Sequence, residues 1–183
     1  MHHTIVTLVE DKPGVLNRVA SLFRRRNFNI DSLTVGRTET KGVSRMTIVV
    51  DNEEVDVKRL TSYLYKLVNV LEVFDLSAEP NVSRDLVLVK VKAPPESRAQ
   101  ILQLVEVFRA RTVDMGANSI IIEITGTEDK IEGFVDVLRP WGIIEMVRTG
   151  IVSMARGCEM RVGNGNGKVS AQSAFSMSNN TVS

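Results

Sequence analysis

The sequence is poor in the side chains that most enzymes use to break bonds. Of 183 residues only two are histidine, the adjacent His2 and His3, and one is cysteine, Cys158. The body of the chain offers no imidazole, so a Cys–His pair or a Ser–His–Asp triad has no base. A metal site of the Cys/His kind lacks its ligands for the same reason. His2 and His3 are expected as ordinary surface residues at a frayed terminus. A single cysteine excludes an intramolecular disulfide and fits a reducing compartment. No acidic pair sits in an apolar setting that points to carboxylate catalysis. Formal net charge is only +1, so no global field recruits nucleic acid or an anionic membrane. No apolar run approaches the roughly 20 residues of a membrane span. The N-terminus carries no basic or Ser-rich leader, and the expected compartment is the cytoplasm.

What is present is regular. Hydrophobic residues make up 43% and charged residues 25%, the balance of a soluble globular chain. Residues 4–10 alternate with period two and read as a strand. Val15, Val19, Leu22 and Phe23 fall at helical spacing and predict a helix to about Asn27. Strands are expected over 29–39 and 44–51, joined by a turn at 40–42. Val57, Leu60, Leu64, Leu67 and Leu71 predict a second helix, and 71–79 a closing strand. The plan then recurs: a strand at 84–93, a helix entered at Pro94-Pro95, strands at 111–116 and 118–126, a helix through Ile131, Phe134, Val135 and Leu138, and a last strand over 143–155. The expected fold class is therefore α+β, with two ferredoxin-like βαββαβ units that share a plan rather than a sequence. Expected domains are 1–79 and 80–157, linked by 77–84, with 158–183 as a disordered Gly/Ser/Asn-rich tail.

The candidate motifs differ in weight. The run at 163–168, Gly-Asn-Gly-Asn-Gly-Lys, superficially resembles a phosphate loop. It has Val162 and Val169 where glycine and Ser/Thr belong, and reads as linker. Arg24-Arg25-Arg26 fits the basic end of a helix, where cations complement the dipole; contact with an acidic partner surface or a nucleotide phosphate is the other reading. Trp141 is either a core cap or a binding anchor. The junction at 11–16, Asp-Lys-Pro-Gly-Val-Leu, is ordinary turn chemistry. It also suits an amino-acid zwitterion: first-turn N–H groups for the carboxylate, Gly14 for close approach, and Asp11 for the ammonium.

Residues 9–50 carry a more specific signal in "PGVLNRV", "FNIDSLTVG" and "SRMTIVV". Together they resemble the N-terminal ACT domain of the small regulatory subunit of acetolactate synthase (acetohydroxyacid synthase). "LYKLVNVLEV", "RDLVLVKV" and "EMVRTGIVSMARG" extend the resemblance over nearly everything before the tail. It implies ACT units that pair edge to edge as a homodimer and bind an effector at the interface, typically valine, sometimes leucine or isoleucine. Asp11, Gly14, Val15 and Leu16 would contact the effector from one protomer, Asn29 and Ile30 from its neighbour. The resemblance also implies a catalytic large subunit as partner. Thiamine diphosphate, FAD and Mg²⁺ would belong to that partner, and this chain would hold no cofactor and no metal. Relatives often carry Asn where Asp11 stands, and an ionised Asp11 favours the ammonium while opposing the carboxylate.

The expectation is thus a non-catalytic regulatory subunit that activates the thiamine-diphosphate enzyme and confers feedback inhibition in branched-chain amino-acid synthesis. One alternative is a free-standing ACT sensor acting on transcription, which would need a helix-turn-helix or basic stripe. A small enzyme with an ACT appendage is the other, and its second unit would have no His or Cys over 84–157.

Overall fold

The computed structural model describes residues 2–51 and 57–157. Cys158, the loop at 163–168 and the expected tail lie outside the described residues. The first unit runs β1 (His2–Glu10), α1 (Val15–Arg25), β2 (Ile30–Arg37), β3 (Val43–Asp51), α2 (Val57–Leu64) and β4 (Val70–Asp75). The second runs β5 (Asn81–Lys92), α3 (Pro95–Val107), β6 (Arg111–Met115), β7 (Ser119–Gly126), α4 (Glu128–Leu138), a 3₁₀ turn (Arg139–Trp141), β8 (Ile143–Arg148) and β9 (Val152–Ala155).

Both sheets are antiparallel and have the same order. The first is β2-β3-β1-β4 and the second β6-β7-β5-β8, with β9 added on β5. Each sheet packs one face on its two helices. In the first unit Ile5, Val9, Met46, Ile48 and Val50 meet Val15, Val19, Phe23, Leu60 and Leu64. In the second, Val87, Val89, Val91, Ile120, Ile122 and Ile124 meet Ile101, Ile131, Phe134 and Leu138. Full burial of such side chains contributes roughly 1.5–3 kcal/mol each, and this period-two and period-3.6 patterning is what sets the strands and helices.

Several boundaries move for identifiable reasons. α1 stops at Arg25 because Asn27 takes the left-handed conformation (φ 58) and Phe28 N–H bonds back to Phe23 C=O, a common helix stop. α2 ends at Leu64. Leu67 still packs on the core from the following turn, while Leu71 belongs to β4 and is exposed. β1 includes His2 and His3, paired to Asp51 and Val50, so these residues are held in the sheet rather than frayed. Trp141 packs against the second core. The linker is shorter than 77–84, because residues 81–84 already belong to β5. The last strand is broken in two at 149–151: β8 pairs with the later half of β5, and β9 pairs with Asn81–Arg84.

That break joins the units. Val6, Thr47 and Val49 point away from the first unit's helices, yet all are buried. They lie in cross-strand rows with Thr34 and Ser32, and the 149–153 segment sits on those rows. Thr34 Oγ1 donates to Thr149 C=O at 3.3 Å, Ile151 N–H donates to Ser32 Oγ at 3.2 Å, and Arg45 Nη2 donates to Ser153 C=O at 2.6 Å. Burial lowers the Arg45 pKa against the opposing field of Glu39. The turn is anchored behind by Asp85, itself buried, which accepts from Arg148 Nε and from Thr149 Oγ1 at 3.0 Å. Desolvation works against the Arg148 charge, but the hydrogen bond and field of Asp85, with Glu128 and Glu132, outweigh it and raise its pKa.

Gly150 is the tightest point of this seam. Its φ is +85°, and a Cβ there would stand 2.7 Å from Ser32 Oγ and 2.9 Å from Thr34 Oγ1. Gly150→Ala is expected to cost about 2 kcal/mol, combining the left-handed penalty of an L-residue with the displaced hydroxyls. The check is a lower urea midpoint; an unchanged midpoint would contradict the packing described.

Candidate functional site

β1 hands over to α1 through a turn with no side-chain cap. Gly14 is the N-cap residue, with φ 83° and nothing within 4 Å of where its Cβ would be. Val15 N–H reaches Lys12 C=O only at 3.4 Å, and Arg18 N–H bonds to Gly14 C=O at 3.1 Å. Among the described residues the amides of Gly14, Leu16 and Asn17 meet no protein acceptor. A helix start with free, solvent-facing donors carries partial positive charge and can take a carboxylate. No acidic side chain in the first turn of α1 competes for it.

The predicted residues divide into two groups. Asp11, Gly14 and Leu16 are exposed around the turn; Val15 is buried in the first core and offers only its backbone. Asn29 and Ile30 lie at the far end of α1, lining a cleft of about 580 Å³ with Phe23, Asn27 and Phe28. The separation follows from register. Glu10, just before Asp11, pairs with Val43, whereas Ile30 pairs with Val50. The intervening length of β3 corresponds to about 23 Å at the usual rise per strand residue. One chain therefore does not bring the two groups together.

Two further features of the turn were not legible in the motif. Arg37, at the end of β2, lies 3.8 Å from Asp11 Oδ2, placing a cation beside the carboxylate that would otherwise oppose an anionic ligand. Both side chains are well exposed, so the pair adds little to stability. Behind the turn, half-exposed Glu10 accepts from Asn69 Nδ2 at 2.6 Å, and Asn69 Oδ1 accepts from Arg18 Nη1 at 2.6 Å. Lys12 Nζ also lies 3.1 Å from Glu10. Buried Asn69 thus ties the start of β4 to the first helical turn. Only the spatial neighbourhood of "NVLEV" reveals this role, since nothing in its sequence spacing points to α1.

Among the described residues there is no group of His, Cys, Asp and Glu that could hold a metal, and no helix long and apolar enough to cross a membrane. The first unit is an α+β domain of the ACT class, with an amide-rich helix start and an edge strand, β2, open on one side. Residues 5–72 match the family model described as an acetohydroxyacid synthase small subunit-like ACT domain, and 84–157 that of the small subunit of acetolactate synthase.

Full-length relatives agree. A probable acetolactate synthase small subunit of Archaeoglobus fulgidus is 53% identical over 86% of this chain and 98% of its own length. The acetolactate synthase small subunit of Bacillus subtilis is 44% identical over 88% of this chain and 94% of its own. The crystal structure of the Thermotoga maritima small subunit superimposes with a TM-score of 0.81 at 41% identity, covering 87% of this chain and 99% of that one. The chain belongs to the acetolactate synthase small-subunit family. That family is the regulatory subunit rather than the catalytic one, and a small subunit presupposes a large catalytic partner. A free-standing sensor of transcription is not favoured.

The Asn69 bridge yields a direct test. Asn69→Ala leaves Arg18 and Glu10 without their shared partner and is expected to destabilise the chain by about 1–3 kcal/mol, read as a lower midpoint of urea unfolding. A change below ~0.3 kcal/mol would remove Asn69 from any positioning role.

Proposed function

We propose that this chain binds a branched-chain amino acid, valine first among them, between two copies of its first unit, and thereby adjusts the activity of the catalytic subunit that it also activates. One observation carries this reading: the two halves of the candidate site lie at opposite ends of β2, and β2 is an edge strand. Antiparallel pairing of β2 with its own copy across a two-fold axis sets Ile30 of one protomer opposite Arg37 of the other. Arg37 stands beside Asp11. The same operation therefore carries Asn29 and Ile30 of one protomer to the amide-rich turn of its partner, twice per dimer. An isologous interface of this kind is the commonest form of homodimer.

The chemistry of the combined site suits the ligand. The Gly14, Leu16 and Asn17 amides supply donors for a carboxylate, and Asp11 supplies an acceptor for an ammonium. Leu16 and Ile30 form apolar walls of the size a branched side chain fills, and the Asn29 amide offers a polar contact. Arg37 offsets the Asp11 charge that would repel the carboxylate. This chain brings no redox or carbon–carbon chemistry of its own; thiamine diphosphate, FAD and Mg²⁺ are assigned to the catalytic partner.

Inhibition follows from linkage. If valine binds more tightly to the form of the dimer that activates poorly, it draws the complex toward that form. A coupling of about 1–3 kcal/mol corresponds to roughly 5–150-fold. The seam at 149–153, which grips Ser32 and Thr34 in the middle of β2, is a physical route from that strand to the second unit.

Two substitutions test the placement in the reconstituted enzyme. Gly14→Asp puts a carboxylate where the ligand's own is expected, and Asn29→His alters the partner's contribution. Each is expected to raise the valine concentration for half-inhibition at least about tenfold, a loss of ~1.4 kcal/mol, while leaving activation without valine largely intact. Full valine sensitivity in both variants would contradict the placement.

A further inference from the structure

The helical layer of the first unit has a charge pattern that the effector site does not explain. Residues 12–30 and 57–71 contain eight Lys or Arg and no Asp or Glu, in a chain whose net charge is only +1. The acidic residues Glu53, Glu54 and Asp56, just before α2, lie outside the described residues. Dipole complementation accounts for Arg24, Arg25 and Arg26 at the end of α1. Arg18 is held by Asn69, and Lys66 stands just past the end of α2, yet both turn to the same space as Arg25 and Arg26.

These side chains enclose a groove between α1 and α2. Its volume is about 460 Å³, and Arg18, Arg25, Arg26, Lys66 and Tyr63 line it. The Arg26 guanidinium stands 4.1 Å from the Tyr63 ring centre, and Lys66 Nζ is 5.4 Å from the same ring. Two cations on one aromatic ring, with no carboxylate in the groove lining, repel each other. Stacking on Tyr63 also fixes Arg26 in place, lowering the entropy to be lost on contact.

We propose that this groove docks an acidic segment of the catalytic large subunit. Apart from the β4 edge, the rest of the first unit is already committed. Its open sheet face is covered by the 149–153 seam, and the β2 edge is assigned to a second copy. The helical layer is the large face that remains. A second copy of this chain is the poorer occupant. Its most acidic helix, α4, has Asp136 paired with Arg139 at 2.8 Å and Glu128 near Arg148 at 3.4 Å, so part of its charge is already neutralised. The proposal draws on the functional reading in naming the catalytic subunit and in assigning the β2 edge, but not on valine binding.

The experiment uses the full chain and the catalytic subunit, with association measured at low and high KCl. Arg25→Glu combined with Lys66→Glu is expected to weaken association at low salt about tenfold or more, mainly through a slower on-rate, and to flatten its salt dependence. The neutral pair Arg25→Gln and Lys66→Gln gives an intermediate loss and guards against a misfolded reversal variant. Arg109→Glu, an exposed cation in the second unit, serves as the control and stays within about twofold of the parent. Valine calorimetry on the isolated variant keeps the two ideas apart: loss of docking with valine binding retained supports the groove alone. Unchanged affinity and salt slope in both groove variants would overturn the proposal. So would a change in self-association with unchanged affinity for the large subunit, which would make a second copy the occupant.

Discussion

The constraint on which the molecule turns is the strand order β2-β3-β1-β4. It leaves β2 with one side of its backbone unpaired, and a strand edge of eight residues is a template for another strand. β1 and β2 both run antiparallel to β3 and hence in the same direction, joined by the α1 crossover, so the amide-rich turn after β1 and the Asn29–Ile30 entry to β2 finish at opposite ends of the sheet. In the proposed site a monomer holds two half-sites and no whole one. Pairing β2 with its copy, as proposed, would close the edge and complete both sites at once. On this account dimerisation and effector binding are one equilibrium.

The second unit repeats the first in topology but not in use. Its first helix begins with Pro95 in place of a glycine turn, and Arg98 there donates to the carbonyls of Ala93, Gly116 and Ala117. The carbonyls near that turn are thus answered from within the chain, and the exposed-amide arrangement of the first unit's glycine turn is not repeated. Its distinctive contribution is the interrupted strand β8–β9, which reaches back over the first sheet. Asp85, Arg148 and Thr149 hold the turn from behind, and Gly150 lets it lie against Ser32 and Thr34 with no side chain between. The strand that borders the proposed effector site is thereby packed against the other unit. That contiguity makes coupling between sites physically reasonable.

Much of this was legible in the sequence, because alternation and helical spacing are local. The order of elements, the two cores, the Pro94-Pro95 helix entry and the glycine turn at the start of α1 all follow from near-neighbour patterning. What escaped is nonlocal. The break at 149–151 looks like continuous strand because "RTGIVSMA" is β-branched and apolar enough to be one; only the two halves of β5 decide where each piece pairs. The excess length expected of α2 came from Leu67 and Leu71, which keep helical spacing by coincidence while the chain turns into β4. Arg37 beside Asp11, and Asn69 bridging Arg18 to Glu10, are joined by tertiary folding alone. The split of the candidate site between copies rested on family resemblance at the sequence level. Register adds only that the two groups stand roughly 23 Å apart along β3 within one chain.

A site built from two copies makes affinity depend on protein concentration, and that dependence is the most direct measure of the account. Valine is titrated by calorimetry into the isolated chain over a range of concentrations, with the dimer fraction followed in parallel by sedimentation. The account predicts that valine binding grows with the dimer fraction and vanishes when the chain is diluted to monomers, and that valine in turn tightens the dimer. Valine bound with full affinity by the monomer would contradict it.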